Sequence, residues 1–150
     1  ARRDFYEALL HHASTLTKLH SGRSGTISPF LGTPSGFAGL NFTYGVTQHA
    51  TAVYLWIERG REWTEWNDAV YQQLLRHKDQ IEADFGGSLT WDAKETNRSR
   101  KLITSLDLGG WSDPETWPEA IEATVDAMIR FEAAVHPYLQ EAVNAAEEGS

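Results

Sequence analysis

The chain has 150 residues, 41% of them hydrophobic and 23% charged, a balance typical of one globular domain. It contains no cysteine, which excludes disulfides and thiolate metal sites. The formal net charge of −8 argues against a general polyanion binder but leaves room for a local basic surface. Because the apolar runs are only as long as strands, we expect no membrane span and a cytoplasmic protein.

The N-terminal part of the chain predicts a helix, a long loop and two strands. Apolar residues recur at spacings of three and four from Arg3 to about His20, the pattern of an amphipathic helix. Residues 21–39 are rich in Gly, Ser, Pro and Thr and predict a long loop. Alternating apolar residues then predict strands from Leu40 to Val46 and from Val53 to Ile57, which we expect to form a hairpin.

The central part repeats the order helix, strand, strand. Helical spacing runs from Trp63 to Phe85, and the two glycines that follow predict the end of that helix. A short strand beginning at Leu89 and a longer one from Leu102 to Leu108 are joined by the basic connection 94–101.

The C-terminal part predicts a final helix with an apolar face from Ile121 to Leu139. Pro137 lies inside this pattern and predicts a break near His136, because proline removes a helical hydrogen bond. We therefore predict an α+β fold in the order α-ββ-α-ββ-α, with a mainly antiparallel four-stranded sheet packed with helices. We expect a single domain over residues 1–150, excised from a longer two-domain protein.

The tripeptide Asp92-Ala93-Lys94 has the D-x-K spacing of nuclease metal sites. On a strand both charged side chains would share one face. Such a site also needs a second acidic residue on a neighbouring strand, and the nearest upstream acids, Glu82 and Asp84, fall on a predicted helix. We therefore interpret Asp92 and Lys94 as exposed charges at a strand end and predict no catalytic residue.

No residue pattern predicts a metal or a cofactor. The six histidines show no H-E-x-x-H or similar spacing that would place two ligands on one helix face. The sequence also lacks a G-x-x-x-x-G-K-[ST] phosphate loop and a G-x-S-x-G nucleophile elbow. We expect neither a metal site nor a cofactor, and an enzyme is the least favoured class for this chain on its own.

The basic connection 94–101 is the main candidate for a binding site. Its four basic residues outnumber its single acidic residue and leave a local charge of +3. Arginines on a rigid hairpin can grip phosphate, and nearby aromatic side chains can stack on bases. The predicted nucleic-acid site comprises Arg98, Arg100, Lys101, Trp91 and Trp56. The alternative is a solvated hairpin whose cations pair with the acidic last helix.

The six tryptophans have different predicted environments. Trp63, Trp66 and Trp91 have a spacing that predicts burial in the core. Trp56 instead shares a strand face with Tyr54, so either a helix covers this face or aromatic surface is left for a partner. With three predicted helices available, we expect a helix to cover it.

The run I-E-x-x-F-G-x-x-L-x-W, from Ile81 to Trp91, is the most distinctive stretch of the chain. Together with Phe5-Tyr6, the segments LNFTYGVT and AVYLWIERG, and Trp117, it resembles a prokaryotic family catalogued as a domain of unknown function, number 4268. The resemblance covers nearly the whole chain. The Gly/Pro-rich loop 21–39 is longer than the family pattern leads us to expect.

The resemblance implies that such a chain follows a restriction-endonuclease-like domain, which would carry the true metal site. It implies no catalytic residue in this chain. Our first hypothesis is therefore a non-catalytic accessory domain of a nuclease-like protein that recognises DNA or RNA, with the nuclease-like domain as its partner in cis. The alternative hypothesis is a protein-interaction or dimerisation module, in which the chain forms a homodimer.

Overall fold

The computed structural model describes residues 1–17, 30–94 and 96–148. These residues form ten regular elements, which in chain order are α1 Arg2–Ser14, β1 Phe30–Pro34, β2 Leu40–Val46, β3 Thr51–Ile57, α2 Thr64–Leu75, α3 Lys78–Phe85, β4 Thr90–Asp92, β5 Arg100–Leu106, α4 Trp117–Val135 and α5 Leu139–Glu148. The α+β class is confirmed. The predicted order and the four-strand count are wrong, because the structure contains one further strand, β1, and an unpredicted break between α2 and α3, while the break predicted from Pro137 divides the last helix into α4 and α5. No described helix is long and apolar enough to cross a membrane.

The extra strand, β1, lies inside the stretch predicted to be a loop. Its residues alternate between buried and more exposed positions, with Leu31 and Thr33 buried. Pro34 ends this strand, and β1 lies at the edge of the sheet, where proline does not remove an interior ladder hydrogen bond. The Gly, Ser and Pro content hid the alternation. Residues 21–29 of the predicted loop lie outside the described residues.

The first helix is shorter than its apolar periodicity predicted. It ends at Ser14, and the hydroxyls of Ser14 and Thr15 donate to the carbonyls of His11 and His12, both at 2.7 Å. These bonds satisfy carbonyls that would otherwise accept from the next helical turn. Leu16, which the periodicity placed on the apolar face, is consequently 58% exposed, and the predicted end near His20 lies outside the described residues.

The second predicted helix is two helices, α2 and α3, separated at Arg76 and His77. The sequence carries no glycine or proline at this break. The His77 ring stacks on Tyr138 at 4.6 Å and its Nε2 lies 3.4 Å from a carboxylate oxygen of Glu141, so contacts with a distant part of the chain hold the turn. By contrast, the break predicted from Pro137 is confirmed, since α4 ends at Val135 and a 3₁₀ turn leads into α5.

The five strands form one sheet in the order β1-β2-β3-β5-β4. The last two strands are antiparallel, with Trp91 opposite Leu102 and Asp92 opposite Lys101. Since directly opposed residues point to the same face, Trp91 lies on the face of the fully buried Leu102. Lys101 and Asp92 lie on the other face.

The described residues group into two compact units, each built from several chain segments. The first comprises residues 1–33, 43–53 and 105–129, and the second residues 34–42, 54–104 and 130–150, within the described ranges. In the first unit, Phe5 of α1 packs edge-to-face on Trp117 with ring centroids 5.4 Å apart, and the Tyr6 hydroxyl donates to the carbonyl of Tyr44 at 3.3 Å. The single domain expected for residues 1–150 stays a prediction.

The core of the second unit is built around three phenylalanine rings. Phe131 of α4 packs edge-to-face against Phe42 of β2 and against Phe85 at the end of α3, at 6.0 and 6.1 Å. The Arg130 guanidinium donates to the Phe85 carbonyl at 2.6 Å, where the helix leaves acceptors without helical partners. Gly86 follows with φ of 91°, a backbone conformation that favours glycine and ends α3 as predicted.

Candidate nucleic-acid interface

Arg100 holds the connection between β4 and β5 together from inside. Its side chain is only 9% exposed, and its Nε donates to an Asp68 carboxylate oxygen on α2 at 3.0 Å. Its Nη1 donates to three carbonyls of the connection, those of Asn97 at 2.7 Å, Ser99 at 3.0 Å and Lys94 at 3.4 Å. A guanidinium presents its N–H donors in one plane. The donors of Arg100 hold the carbonyls of one turn instead of facing solvent.

Arg98 lies two residues earlier and belongs to a second polar cluster, formed with Glu58 and Asn67. Its Nε donates to Glu58 Oε2 at 2.5 Å, while Glu58 Oε1 accepts from Gly60 N at 2.8 Å and from Asn67 Nδ2 at 3.0 Å. Asn67 is fully buried, and its amide also accepts from Arg59 N and donates to the Arg98 carbonyl. The cluster ties the end of β3, helix α2 and the basic connection together.

The electrostatics of this cluster follow from its contacts. Burial acts to raise the pKa of Glu58, but the hydrogen bonds from Arg98, Gly60 and Asn67 outweigh it and hold the pKa below its ordinary value. The carboxylate is therefore the favoured form, and Arg98 is paired with it. About 44% of the Arg98 side chain remains exposed, so part of its guanidinium still faces solvent.

The partners of these two arginines differ from the sequence-based alternative. That alternative paired the cations with the acidic last helix, whereas Arg98 pairs with Glu58 after β3 and Arg100 with Asp68 on α2. The acids of α5 contact other residues, since Glu147 pairs with Arg59 at 3.7 Å. Sequence reasoning missed Asp68 and Asn67 entirely, because a hydrogen-bond acceptor on a helix carries no local signal for the strand that it will meet.

Lys101 and Trp56 come together on one face of the sheet. The Lys101 ammonium lies 4.6 Å from the centroid of the Trp56 ring, and the ring of Tyr54 lies 6.0 Å from that of Trp56. All three side chains are half-buried, in contrast to Val53, Leu55 and Ile57, which alternate with the aromatic residues and are fully buried. We call this set the aromatic face; burial raises the pKa of its Tyr54 hydroxyl. The three side chains keep part of their exposure, and the helix expected to cover this face stays a prediction.

Trp91 lies on the opposite face and has a structural partner. Its indole nitrogen donates to Glu82 Oε2 at 3.2 Å, and the same oxygen accepts from Leu89 N at 2.8 Å. Its ring packs edge-to-face on Tyr71 at 6.1 Å. The Ile81-to-Trp91 run therefore has a physical explanation, because its glutamate on α3 fixes the start of β4 while Ile81 and Phe85 are buried.

The other tryptophans predicted to be buried behave differently from each other. Trp66 is 5% exposed, as predicted, but Trp63 is 39% exposed and its prediction is wrong. The Arg59 guanidinium lies 3.9 Å from the Trp63 ring centroid and 5.0 Å from that of Trp66. A cation against the aromatic ring stabilises this exposed position.

Among the described residues, the D-x-K tripeptide belongs to no metal-binding group. Asp92 ends β4 and is half-buried opposite Lys101, and Lys94 is exposed beyond the strand. Across the described ranges, no group of three or more His, Asp or Glu side chains could hold a metal ion. The negative charge of Asp92 instead adds to burial in raising the pKa of Tyr71.

The first unit contains a Ser, a His and an Asp in contact, a set that sequence reasoning missed. His49 Nδ1 lies 3.0 Å from Asp113 Oδ2 and 3.4 Å from Ser112 Oγ. In a nucleophilic triad the serine and the acid contact different ring nitrogens, whereas here both contact Nδ1, and the Ser112 hydroxyl donates to the Gln48 carbonyl at 2.8 Å. The set fastens two loops, and the His49 and Gly110 hydrogen bonds lower the pKa of Asp113.

Of the five predicted site residues, the structure brings together only Trp56 and Lys101. Trp91 lies on the other face, Arg100 is buried, and Arg98 is paired at the end of β3. Tyr54 joins the first two, and the alternation of β3 was the signal that placed it beside Trp56.

Comparison with known proteins identifies the family. The crystal structure of YbjN from E. coli, proposed to be a transcription regulator, is similar with a TM-score of 0.45 and 11% identity, over 92% of this chain and 91% of that chain. Among curated proteins, no sequence matches. The family model described as a domain of unknown function, DUF4268, matches residues 1–139, and the chain therefore belongs to this family.

Proposed function

We propose that the chain is a non-catalytic recognition domain that binds single-stranded nucleic acid on its aromatic face. The observation that carries the proposal is the meeting of Trp56, Tyr54 and Lys101 on one half-exposed sheet face. Aromatic rings on a sheet can stack on unpaired bases, and a neighbouring ammonium can contact the phosphate backbone. A duplex keeps its base faces stacked inside, so single strands are the favoured ligand.

The phosphates would be contacted by the exposed charges around this face. Lys101 supplies one, and the exposed part of Arg98 and the exposed Lys94 supply others from the connection between β4 and β5. Arg100 contributes indirectly, because it holds the carbonyls of this connection. The chain as a whole is acidic, so we expect a local, salt-dependent site rather than binding along the whole surface.

In the full protein this domain would serve a nuclease-like domain in cis. The support is the resemblance described above, which associates such chains with a restriction-endonuclease-like domain. The accessory domain would then hold a strand while the chemistry takes place elsewhere. We expect the chain alone to leave DNA and RNA intact in the presence of Mg²⁺, and cleavage that is lost on Asp92→Ala would contradict this.

The test is a titration of labelled single-stranded and duplex DNA and RNA, followed by fluorescence anisotropy at low and physiological salt. Binding of single strands that falls on Trp56→Ala and on Lys101→Ala supports the proposal. Trp63→Ala is the matched control, because Trp63 is also a solvent-accessible tryptophan against a cation, in this case Arg59, but lies on a 3₁₀ turn. Equal losses in all the variants, or no binding at low salt, would reject the aromatic face as the site.

The second candidate function is a protein-interaction or dimerisation module. Tyrosine and tryptophan are enriched in protein interfaces, and the same half-exposed aromatic face favours this alternative. Sedimentation over a wide concentration range separates the two functions. A dimer that dissociates on Trp56→Ala, in a chain that binds no nucleic acid, would make this second candidate the better one.

A further inference from the structure

A groove runs between α1 and α4 in the first unit, and no residue of the aromatic face lines it. It consists of two adjoining hollows of about 740 and 520 Å³, which share His12, Pro118 and Glu122. Because three residues line both hollows, they form one continuous depression. Residues Trp117 to Asp126 line its α4 side, which corresponds to roughly 14 Å of helix.

Two exposed leucines line this α1–α4 groove. Leu16 is 58% exposed and Leu108 is 39% exposed, and both line the larger hollow. The described residues contain only four exposed large hydrophobic side chains, so half of them lie in this one groove. Clustered exposed apolar side chains mark interaction surfaces more often than scattered ones do.

The rim of the groove is acidic. Glu119 and Glu122, three residues apart on α4, are exposed and line the larger hollow. The segment from residue 105 to residue 129 contains six acidic residues and neither lysine nor arginine. A cleft lined by one sign of charge raises the local concentration of ligands of the opposite sign, so the rim favours a cationic partner.

We propose that the α1–α4 groove docks a basic amphipathic helix of another protein. The apolar face of that helix would contact Leu16 and Leu108, and its lysines and arginines would lie against Glu119 and Glu122. A helix suits a depression between two helices, whereas an extended peptide is recognised by adding to a strand edge. The inference is independent of the proposed nucleic-acid function, because it uses different residues.

Among the described residues, a second copy of this chain offers no helix of this kind. Helix α1 carries two arginines and two acidic residues, and α2 to α5 each carry more acidic than basic residues. None of the described helices therefore has a net positive charge. The charge complementarity points to a different protein as the partner.

The test uses a synthetic helical peptide of leucine and lysine with one apolar face, titrated into the full chain by calorimetry. A peptide of the same composition with a scrambled order keeps the charge but lacks the apolar face. We expect the amphipathic peptide to bind at least about tenfold more tightly, because both the leucines and the acids are used. Equal binding of the two peptides would overturn the proposal.

Two pairs of variants locate the site. We expect each double variant to weaken binding of the amphipathic peptide by about fivefold or more. The first is Leu16→Ser with Leu108→Ser, and the second is Glu119→Gln with Glu122→Gln. Glu62→Gln with Glu65→Gln is the matched control, since these exposed acids are also three residues apart but belong to the second unit. An equal loss of affinity in this control would mean that the peptide is attracted to the acidic chain in general, and it would contradict the proposal.

Three further measurements complete the test. Thermal unfolding confirms that each variant keeps its fold, and Trp56→Ala should bind the peptide like the unaltered chain, which separates this groove from the aromatic face. Sedimentation of the chain without peptide checks self-association. A dimer that dissociates on Leu108→Ser would show that a second copy occupies the groove and would overturn the assignment to another protein.

Discussion

Arg100 and Lys101 are neighbours in sequence but occupy contrasting environments. Arg100 faces inward and donates to a carboxylate oxygen and three carbonyls, whereas Lys101 faces the other side of the sheet and lies over the ring of Trp56. Since successive side chains of a strand point to opposite faces, one residue of a basic pair becomes structural and its neighbour becomes available for recognition. A run of basic residues on a strand therefore overstates the number of charges that can meet one ligand.

The largest difference between the two residues should appear in stability. Arg100→Ala leaves Asp68 and three turn carbonyls without their donor, and we expect a loss of about 3 kcal/mol in the free energy of unfolding. Lys101→Ala should cost no more than about 1 kcal/mol, because it removes a single cation–π contact with Trp56. Urea denaturation, monitored through tryptophan fluorescence, measures both changes in the free energy of unfolding. Equal losses of stability would contradict the contrast between the two residues.

The next largest effect concerns binding rather than stability. Trp56→Ala should weaken binding of single strands by about 1 to 3 kcal/mol, the contribution expected for one stacked base. Trp63→Ala should leave the affinity unchanged, although it removes an aromatic ring of equal size. Anisotropy titrations give both affinities. A larger loss of affinity for Trp63→Ala than for Trp56→Ala would place the binding site near Trp63 and α2.

A smaller effect should appear in the salt dependence of binding. Each phosphate contact to a single strand contributes about 0.7 to the slope of log affinity against log salt concentration. Lys101→Ala should reduce this slope by about that amount, while Lys78→Ala, an exposed lysine on α3, should not. An unchanged slope for Lys101→Ala would mean that its ammonium contacts no phosphate.

The smallest effect should come from the Glu58 cluster as pH falls. The folded-state pKa of Glu58 lies below its ordinary value. The ionised Glu58 carboxylate therefore stabilises the folded chain fully above the unfolded-state pKa, and this stabilisation is lost as pH falls through the folded-state pKa. Glu58→Gln should therefore be less stable than the unaltered chain at neutral pH, with the difference shrinking under acid conditions. A constant difference over this range would show that ionisation of Glu58 is not involved.

Local patterns in the sequence predicted much of this molecule. Alternation placed β2, β3 and the opposite faces of Trp56 and Leu55, because a strand has a period of two whatever surrounds it. Gly86 and Pro137 ended their helices as predicted, because their backbone restrictions are local. The Ile81-to-Trp91 run identified the family, which the match over residues 1–139 confirmed.

Only the tertiary structure decided which predicted site residues meet. The break at His77 depends on Tyr138 and Glu141, and the burial of Arg100 depends on Asp68, thirty-two positions away in sequence. Strand order brought Trp56 and Lys101 together while register placed Trp91 on the opposite face. These outcomes depend on contacts between distant segments, and periodicity along one segment carries no information about which segment will pack against it.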